Sequence, residues 1–203
     1  SQRGSFGDIA ASSFGGMVSY TSPDRSELLV KLQSQTIKEI CDSDWKDLTI
    51  VRLPEIPNFN LLVGWTGQVA ITDSLIQATE KKRKVETDNA FYKEFLTKSH
   101  AIVQGIQNAW NKQDIPALQE GIRANRALLN QFAKVMQLDI ETPALQTLCD
   151  LAEQNGACAK TSGAGGGDCG ICFTQNEHQR QTIENQWAQA QIQVLPLTIA
   201  EAW

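Results

Sequence analysis

Ala157-Cys158-Ala159-Lys160-Thr161-Ser162-Gly163-Ala164-Gly165-Gly166-Gly167-Asp168-Cys169-Gly170-Ile171-Cys172-Phe173-Thr174 is the stretch on which the reading of this chain turns. Residues 157–160 read as a strand, 161–167 as a glycine-rich turn and 170–174 as a second strand, so the stretch predicts a hairpin. Its glycines suit either of two jobs. One is a tight connection. The other is chemical: neighbouring residues without a Cβ let several backbone N–H groups converge on an anion. No Gly-Lys-Ser/Thr closes the run, so it is not a Walker loop. Nor does it have the acidic residue and helix phasing of a dinucleotide fingerprint. On residues alone, hairpin turn and anion cradle both stay open.

Working outward, strands alternate with helices. Residues 6–14 predict a short helix stopped by Gly15-Gly16, since glycine readily takes the left-handed conformation that ends helices. Residues 17–21 predict a strand. Ser22-Pro23-Asp24 opens a helix with Leu28, Leu29, Leu32, Ile37 and Ile40 as its apolar face. Strands are predicted at 48–53 and 60–65, with Pro54 and Pro57 breaking the chain between them. The 60–65 strand, Asn60-Leu61-Leu62-Val63-Gly64-Trp65, is apolar enough to be buried. Helices follow at 72–84, 87–111 and 114–138, and Thr142-Pro143 caps another that reaches Asn155-Gly156. Beyond the hairpin come a helix at 177–190 and a strand at 192–197. This order predicts an α+β sandwich of ferredoxin-like type.

Composition removes several function classes. Of 203 residues, 41% are apolar and 20% charged, as in an ordinary globular protein. The net charge is −5, and the one basic run, Lys81-Lys82-Arg83-Lys84, suits a solvated helix end; no nucleic acid partner is expected. No apolar stretch approaches the roughly 20 residues a membrane span needs, and the first residues lack the apolar core of a signal peptide. Five cysteines at unpatterned spacing predict reduced thiols and a cytoplasmic setting. Cys169-Gly170-Ile171-Cys172 has redox-motif spacing but lies on a strand, away from any helix start that would stabilise a thiolate. His100 and His178 are too separated for zinc, and no metal site is expected.

Three segments together resemble the GHMP kinases. Ser162-Gly163-Ala164-Gly165-Gly166-Gly167-Asp168-Cys169-Gly170-Ile171 is similar to that superfamily's third motif, a glycine-rich loop facing the active site, with Asp168 where most relatives have glycine. Leu61-Leu62-Val63-Gly64-Trp65-Thr66-Gly67-Gln68-Val69-Ala70 resembles a strand and turn of the same family. Gly4-Ser5-Phe6-Gly7-Asp8-Ile9-Ala10 resembles its Gly-Ser-x-x-Asp-x-Ala run, in which the aspartate lies beside the acceptor. A further match, Arg123-Ala124-Asn125-Arg126-Ala127-Leu128-Leu129, resembles a helix whose polar face approaches substrate.

The resemblance implies transfer of the ATP γ-phosphoryl group to phosphomevalonate, with Mg²⁺ accompanying ATP. Asp8 is then the catalytic candidate. Ser5, Ser162, Gly163, Ala164, Gly165, Gly166 and Arg126 are the substrate- and phosphate-binding candidates, and Gly165→Val is expected to abolish activity by denying close backbone approach. Asp8 is expected to orient the acceptor, Mg²⁺ or a lysine rather than remove a proton. The alternatives are a relative acting on another acceptor, such as mevalonate, and a non-catalytic metabolite-binding module. The family's Pro-x-x-x-Gly-Leu-Gly-Ser-Ser loop for ATP does not occur in this sequence. The resemblance therefore implies a C-terminal portion: residues 1–56 as the end of the N-terminal domain, 57–203 as the C-terminal domain. Such a piece is expected to be inactive alone and to self-associate through an exposed apolar face. The residue at position 1 is not methionine, which fits a fragment, a processed chain or a tag remnant.

Overall fold

The computed structural model describes residues 5–67 and 90–201, and these divide into two compact units, one holding residues up to Glu55 together with Ile199 onward, the other Ile56–Thr198. The expected helix at 72–84, the basic run at 81–84 and the end of the Thr66–Ala70 turn lie outside the described residues.

In the first unit, α1 (Gly7–Phe14) stops at Gly15 and Gly16, both left-handed at φ 62° and 63°. Strands β1 (Val18–Thr21) and β2 (Thr49–Arg52) pair antiparallel, Val18 opposite Arg52. The single helix expected after Pro23 is two. Asp24 caps α2 (Arg25–Lys31) by accepting from the N–H groups of Ser26 and Glu27. The chain then restarts at Thr36, which forms a reciprocal capping box with Glu39 and opens α3 (Ile37–Cys41). That cap outweighs the apolar periodicity that reads straight through it. The expected apolar face is correspondingly split: Ile40 is buried, whereas Leu29, Leu32 and Ile37 are exposed.

The second unit begins with β3 (Asn60–Trp65), followed by α4 (Ala90–Asn111), α5 (Ile115–Met136), α6 (Pro143–Gln154), β4 (Cys158–Thr161), β5 (Cys169–Thr174), α7 (Glu177–Gln189) and β6 (Gln193–Leu195). The helix starts follow their sequence signals. Asp114 caps α5 with Pro116 in its first turn, and Thr142 caps α6 with Pro143 at its start. The four strands form one antiparallel sheet in the order β4-β5-β3-β6. That is the split strand order of a ferredoxin-like fold, and the expected α+β class holds.

One sheet face buries Leu62, Ala159 and Cys172 against Leu148, Ala152, Ile183 and Trp187. Gly64 and Gly170 are direct cross-strand partners at its centre. A Cβ on Gly64 would come within 2.8 Å of Leu148 Cδ1 and 2.9 Å of the Trp187 ring, and one on Gly170 within 2.6 Å of Leu148 Cδ2. The paired glycines thus form the seat for Leu148, whose carbonyl accepts from Trp187 Nε1 at 3.0 Å. Near one end, Phe59 stacks on Phe173 at 4.9 Å between ring centroids, with Trp110 edge-on to both. Along the α4–α5 pair, Phe95 stacks on Phe132 at 4.2 Å.

Candidate functional site

The hairpin between β4 and β5 carries the glycine-rich loop. Ser162 N–H donates to the Cys169 carbonyl at 2.9 Å and closes its neck. Beyond the neck, Gly163, Gly165, Gly166 and Gly167 all have positive φ, and Asp168 shares that region at φ 60°. Asp168 is the costly member, since a left-handed backbone favours glycine. Its carbonyl is held by two donors from one residue, Thr66 N–H at 2.9 Å and Thr66 Oγ1 at 3.0 Å. Thr66 follows β3 in the Val-Gly-Trp-Thr-Gly run. Two separate sequence motifs are thus one braced structure.

A second brace comes from the α5–α6 connection, where the Ile140 carbonyl accepts from Gly166 N–H at 2.8 Å. A Cβ on Gly165 would overlap that same carbonyl oxygen and lie 2.7 Å from Ile140 Cγ2. Gly165 is therefore required by the protein's own backbone, and the Gly166 amide is already occupied. This assigns to framework two residues expected to bind phosphate. The open part of the loop is elsewhere. Gly163 and Ala164 are exposed, a Cβ on Gly163 would meet nothing within 4 Å, and the amides of Gly163 and Ala164 have no acceptor among the described residues. An anion placed there meets unpaired donors without displacing any protein contact.

Lys160 stands immediately before the loop, and its Nζ donates to the Thr161 carbonyl at 2.8 Å. Burial pushes its pKa below the usual lysine value of 10.5, and a nearby Cys149 acts in the opposite direction. The unfolded chain then holds this proton to higher pH than the folded one, so the lysine makes stability rise with pH between its folded value and 10.5. Lys160→Met removes that slope. The melting temperature of the variant relative to the parent is expected to fall as pH rises toward 10.5, measured by thermal unfolding in matched buffers. A flat or rising difference would contradict the assignment.

Arg126 is drawn inward. Its Nε and Nη2 donate to Glu141 at 2.9 and 2.6 Å, Nη2 reaches Asp150 at 2.7 Å, and Nη1 lies 3.5 Å from Glu153. Burial alone would lower the guanidinium pKa; its hydrogen bonds to the Glu141 and Asp150 carboxylates outweigh this and raise it. The expected polar face toward substrate is met here by carboxylates of the protein itself. Glu141 and Asp150 are the polar residues that sequence reading missed. They lie 15 and 24 positions beyond Arg126, and no local spacing signals them.

Asp8 and Ser5 belong to the first unit. Asp8 is exposed in the first turn of α1, where the helix dipole favours an anion. Phe6 enters the helix at φ 63° without a side-chain cap. Ser5 Oγ accepts from Gly7 N–H at 3.3 Å and the Ser5 carbonyl from Tyr20 Oη at 2.7 Å, so the segment before Asp8 is tied to β1. The Asp8 carboxylate has no hydrogen-bond or ion-pair partner among the described residues.

Cys169 and Cys172 are three residues apart on extended β5. A rise of about 3.3 Å per residue separates their Cα atoms by roughly 10 Å, too far for a disulfide. Burial pushes the Cys149 and Cys158 thiols up to about 12, which keeps them protonated. Among the described residues no group of three or more His, Cys, Asp or Glu is placed to hold a metal ion, and no helix is long and apolar enough to cross a membrane.

Comparison with known proteins finds relatives of this geometry. Residues 102–193 match the family described as GHMP kinases C terminal. The chain is 36% identical, over 98% of its length, to the phosphomevalonate kinase of Streptomyces sp. (strain CL190), and covers 53% of that protein. Among solved structures, a Listeria innocua protein superposes with a TM-score of 0.93 at 32% identity, over 98% of this chain and 56% of that one. Streptococcus pneumoniae phosphomevalonate kinase, solved in complex with phosphomevalonate and AMPPNP, gives 0.80 at 29%, over 95% and 54%. The chain thus spans about half the length of the relatives it matches. With the braced hairpin loop and the split antiparallel sheet, residues 102–193 match the C-terminal region of the GHMP kinases, and the chain as a whole is similar to phosphomevalonate kinases over nearly its full length.

Proposed function

We propose that the protein to which this chain belongs is a phosphomevalonate kinase, transferring the ATP γ-phosphoryl group to phosphomevalonate to give diphosphomevalonate. The observation that carries the reading is the loop: two successive exposed amides, Gly163 and Ala164, point to no protein acceptor while both flanks are fixed. The Streptomyces relative and the S. pneumoniae complex support the choice of substrates. The second unit then acts as the C-terminal domain and supplies phosphate-binding amides, with Ser162 at their edge. The first unit acts as the end of the N-terminal domain and supplies Ser5 and Asp8. Mg²⁺ enters with ATP, bound to its phosphates. A cytoplasmic setting with reduced thiols belongs to the same reading.

The chemical difficulty is the approach of two polyanions, so catalysis consists mainly of positioning and charge compensation. The loop amides offer partial positive charge that costs no reorganisation at the moment of reaction. The acceptor, a phosphate monoester with a second pKa of about 6, is already mostly ionised at neutral pH. Asp8 therefore orients rather than deprotonates. In a polypeptide spanning the relatives' full length, Asp8→Asn is expected to lower kcat about 100-fold, the scale of a misplaced reacting group, with the loss uniform from pH 6 to 9. Coupled-enzyme rates across that range test both points. A loss that follows a single titration would make Asp8 the base, and a parent protein with no phosphomevalonate-dependent ATP consumption would reject the function itself.

Self-association is the other part of the proposal. Ile9, Leu29, Val30 and Ile37 of the first unit are each more than half exposed. The 203-residue chain is expected to gain mass with concentration in light scattering. A monomer at every concentration would refute this.

A further inference from the structure

Residues 137–142, between α5 and α6, are irregular: after the Leu138 N–H bond to the Ala133 carbonyl, the chain is held by the side chains of Ile140 and Glu141. Glu141, its side chain 6% exposed, is held by Arg126 Nε and Nη2 and by Asn130 Nδ2 at 3.0 Å. Ile140, the residue before it, packs its side chain with Phe132, Ala133 and Met136. The Ile140 carbonyl is left facing the hairpin, where it accepts Gly166 N–H and abuts Gly165. One peptide bond therefore separates the Arg126–Glu141 contact from the brace that holds the glycine-rich loop. Arg126 is anchored in turn by Asp150 and Glu153 on α6. The guanidinium thus joins α5, the connection and α6 at the point where the connection meets the loop.

We propose that Arg126 and Glu141 are positioning residues for the loop: by gripping the chain at Glu141 they fix the Ile140 carbonyl, and so set where the Gly163 and Ala164 amides point. The functional half of this rests on the phosphate-cradle reading above; the mechanical half stands without it. Arg126 thereby acts on the phosphate site through the backbone and touches no substrate. The fork of a guanidinium matters here, because it engages both Glu141 oxygens at once, which a lysine ammonium cannot do in the same geometry.

Amide hydrogen exchange on the 203-residue chain tests the mechanical half. In Glu141→Gln and in Arg126→Lys, the Gly166 amide is expected to exchange at least tenfold faster than in the parent, while the Ile171 and Cys172 amides of the sheet stay within twofold. Gly166 and sheet amides accelerating together would mean general destabilisation, and neither accelerating would mean no brace; each overturns the proposal. Arg126→Lys keeps a cation beside Glu141 and decides the matter should Glu141→Gln not fold. In a polypeptide of the relatives' full length, the same variants are expected to raise KM for ATP at least fivefold with kcat changed less than twofold. A freed Gly166 amide with unchanged KM would leave the brace standing and reject the phosphate cradle.

Discussion

Gly165→Val is expected to fail to fold, or to melt at least 10 °C below the parent, rather than to yield a stable but inactive protein. Two costs add. The position has φ +75°, a region a β-branched residue enters at about 1–3 kcal/mol. The new Cβ would also overlap the Ile140 carbonyl, an atom of the main chain that cannot rotate aside, and such overpacking costs about 1–3 kcal/mol or more. The sum is a large share of a typical stability of about 5–15 kcal/mol. Gly163→Ala is the informative contrast. Its backbone is also left-handed, but a methyl there meets open space. It is expected to cost about 1–2 kcal/mol and to raise KM for ATP. Thermal melts of the two variants beside the parent check this. A normally folded Gly165→Val would mean that the loop is not braced by Ile140.

Gly64→Val carries the second large effect. In the strand the substitution favours β structure, yet its Cβ would press on Leu148 Cδ1 and the Trp187 ring at 2.8–2.9 Å, in the centre of the core. Both neighbours are fully buried and linked by the Trp187–Leu148 hydrogen bond, so neither can retreat cheaply. Overpacking at such a site costs about 3 kcal/mol. A double-mutant cycle makes the assignment specific. Leu148→Ala alone is expected to cost about 2–5 kcal/mol through its cavity, but combined with Gly64→Val the two losses are expected to sum to less than their parts, because the valine enters the vacated space. Strict additivity in denaturant unfolding would show that Gly64 does not seat Leu148.

Much of this arrangement is legible from residues alone, and what is not has identifiable causes. The second-unit strands and helices announce themselves by apolar runs and by the caps at Asp114, Thr142 and Asn176. The helix after Pro23 misleads because Leu28 to Ile40 keeps its periodicity across the Thr36–Glu39 box. The loop is visible as a loop, but the sequence does not separate glycines needed by a ligand from those needed by the chain. That distinction rests on Ile140, far from the hairpin in sequence. Gly64 reads as one more residue of the 60–65 strand, and nothing local shows that it is the seat for Leu148. Arg126 reads as a phosphate-binding candidate on a helix face, and only the folded chain brings up its carboxylates.

The bond between Thr66 and Asp168 joins residues 102 positions apart. Such a contact closes a long loop before it is rewarded, and among the described residues β3, the strand beside Thr66, pairs with β5 and β6. During synthesis at about 5–20 residues per second, β3 therefore waits several seconds or more before its neighbours exist. The α4–α5 pair can form meanwhile from local contacts. The glycine-rich loop is then among the last parts to take shape, and an apolar strand stays uncovered on the nascent chain until it does. Slowing elongation between β3 and β5 would lengthen that exposure, making translation rate over this interval a determinant of soluble yield.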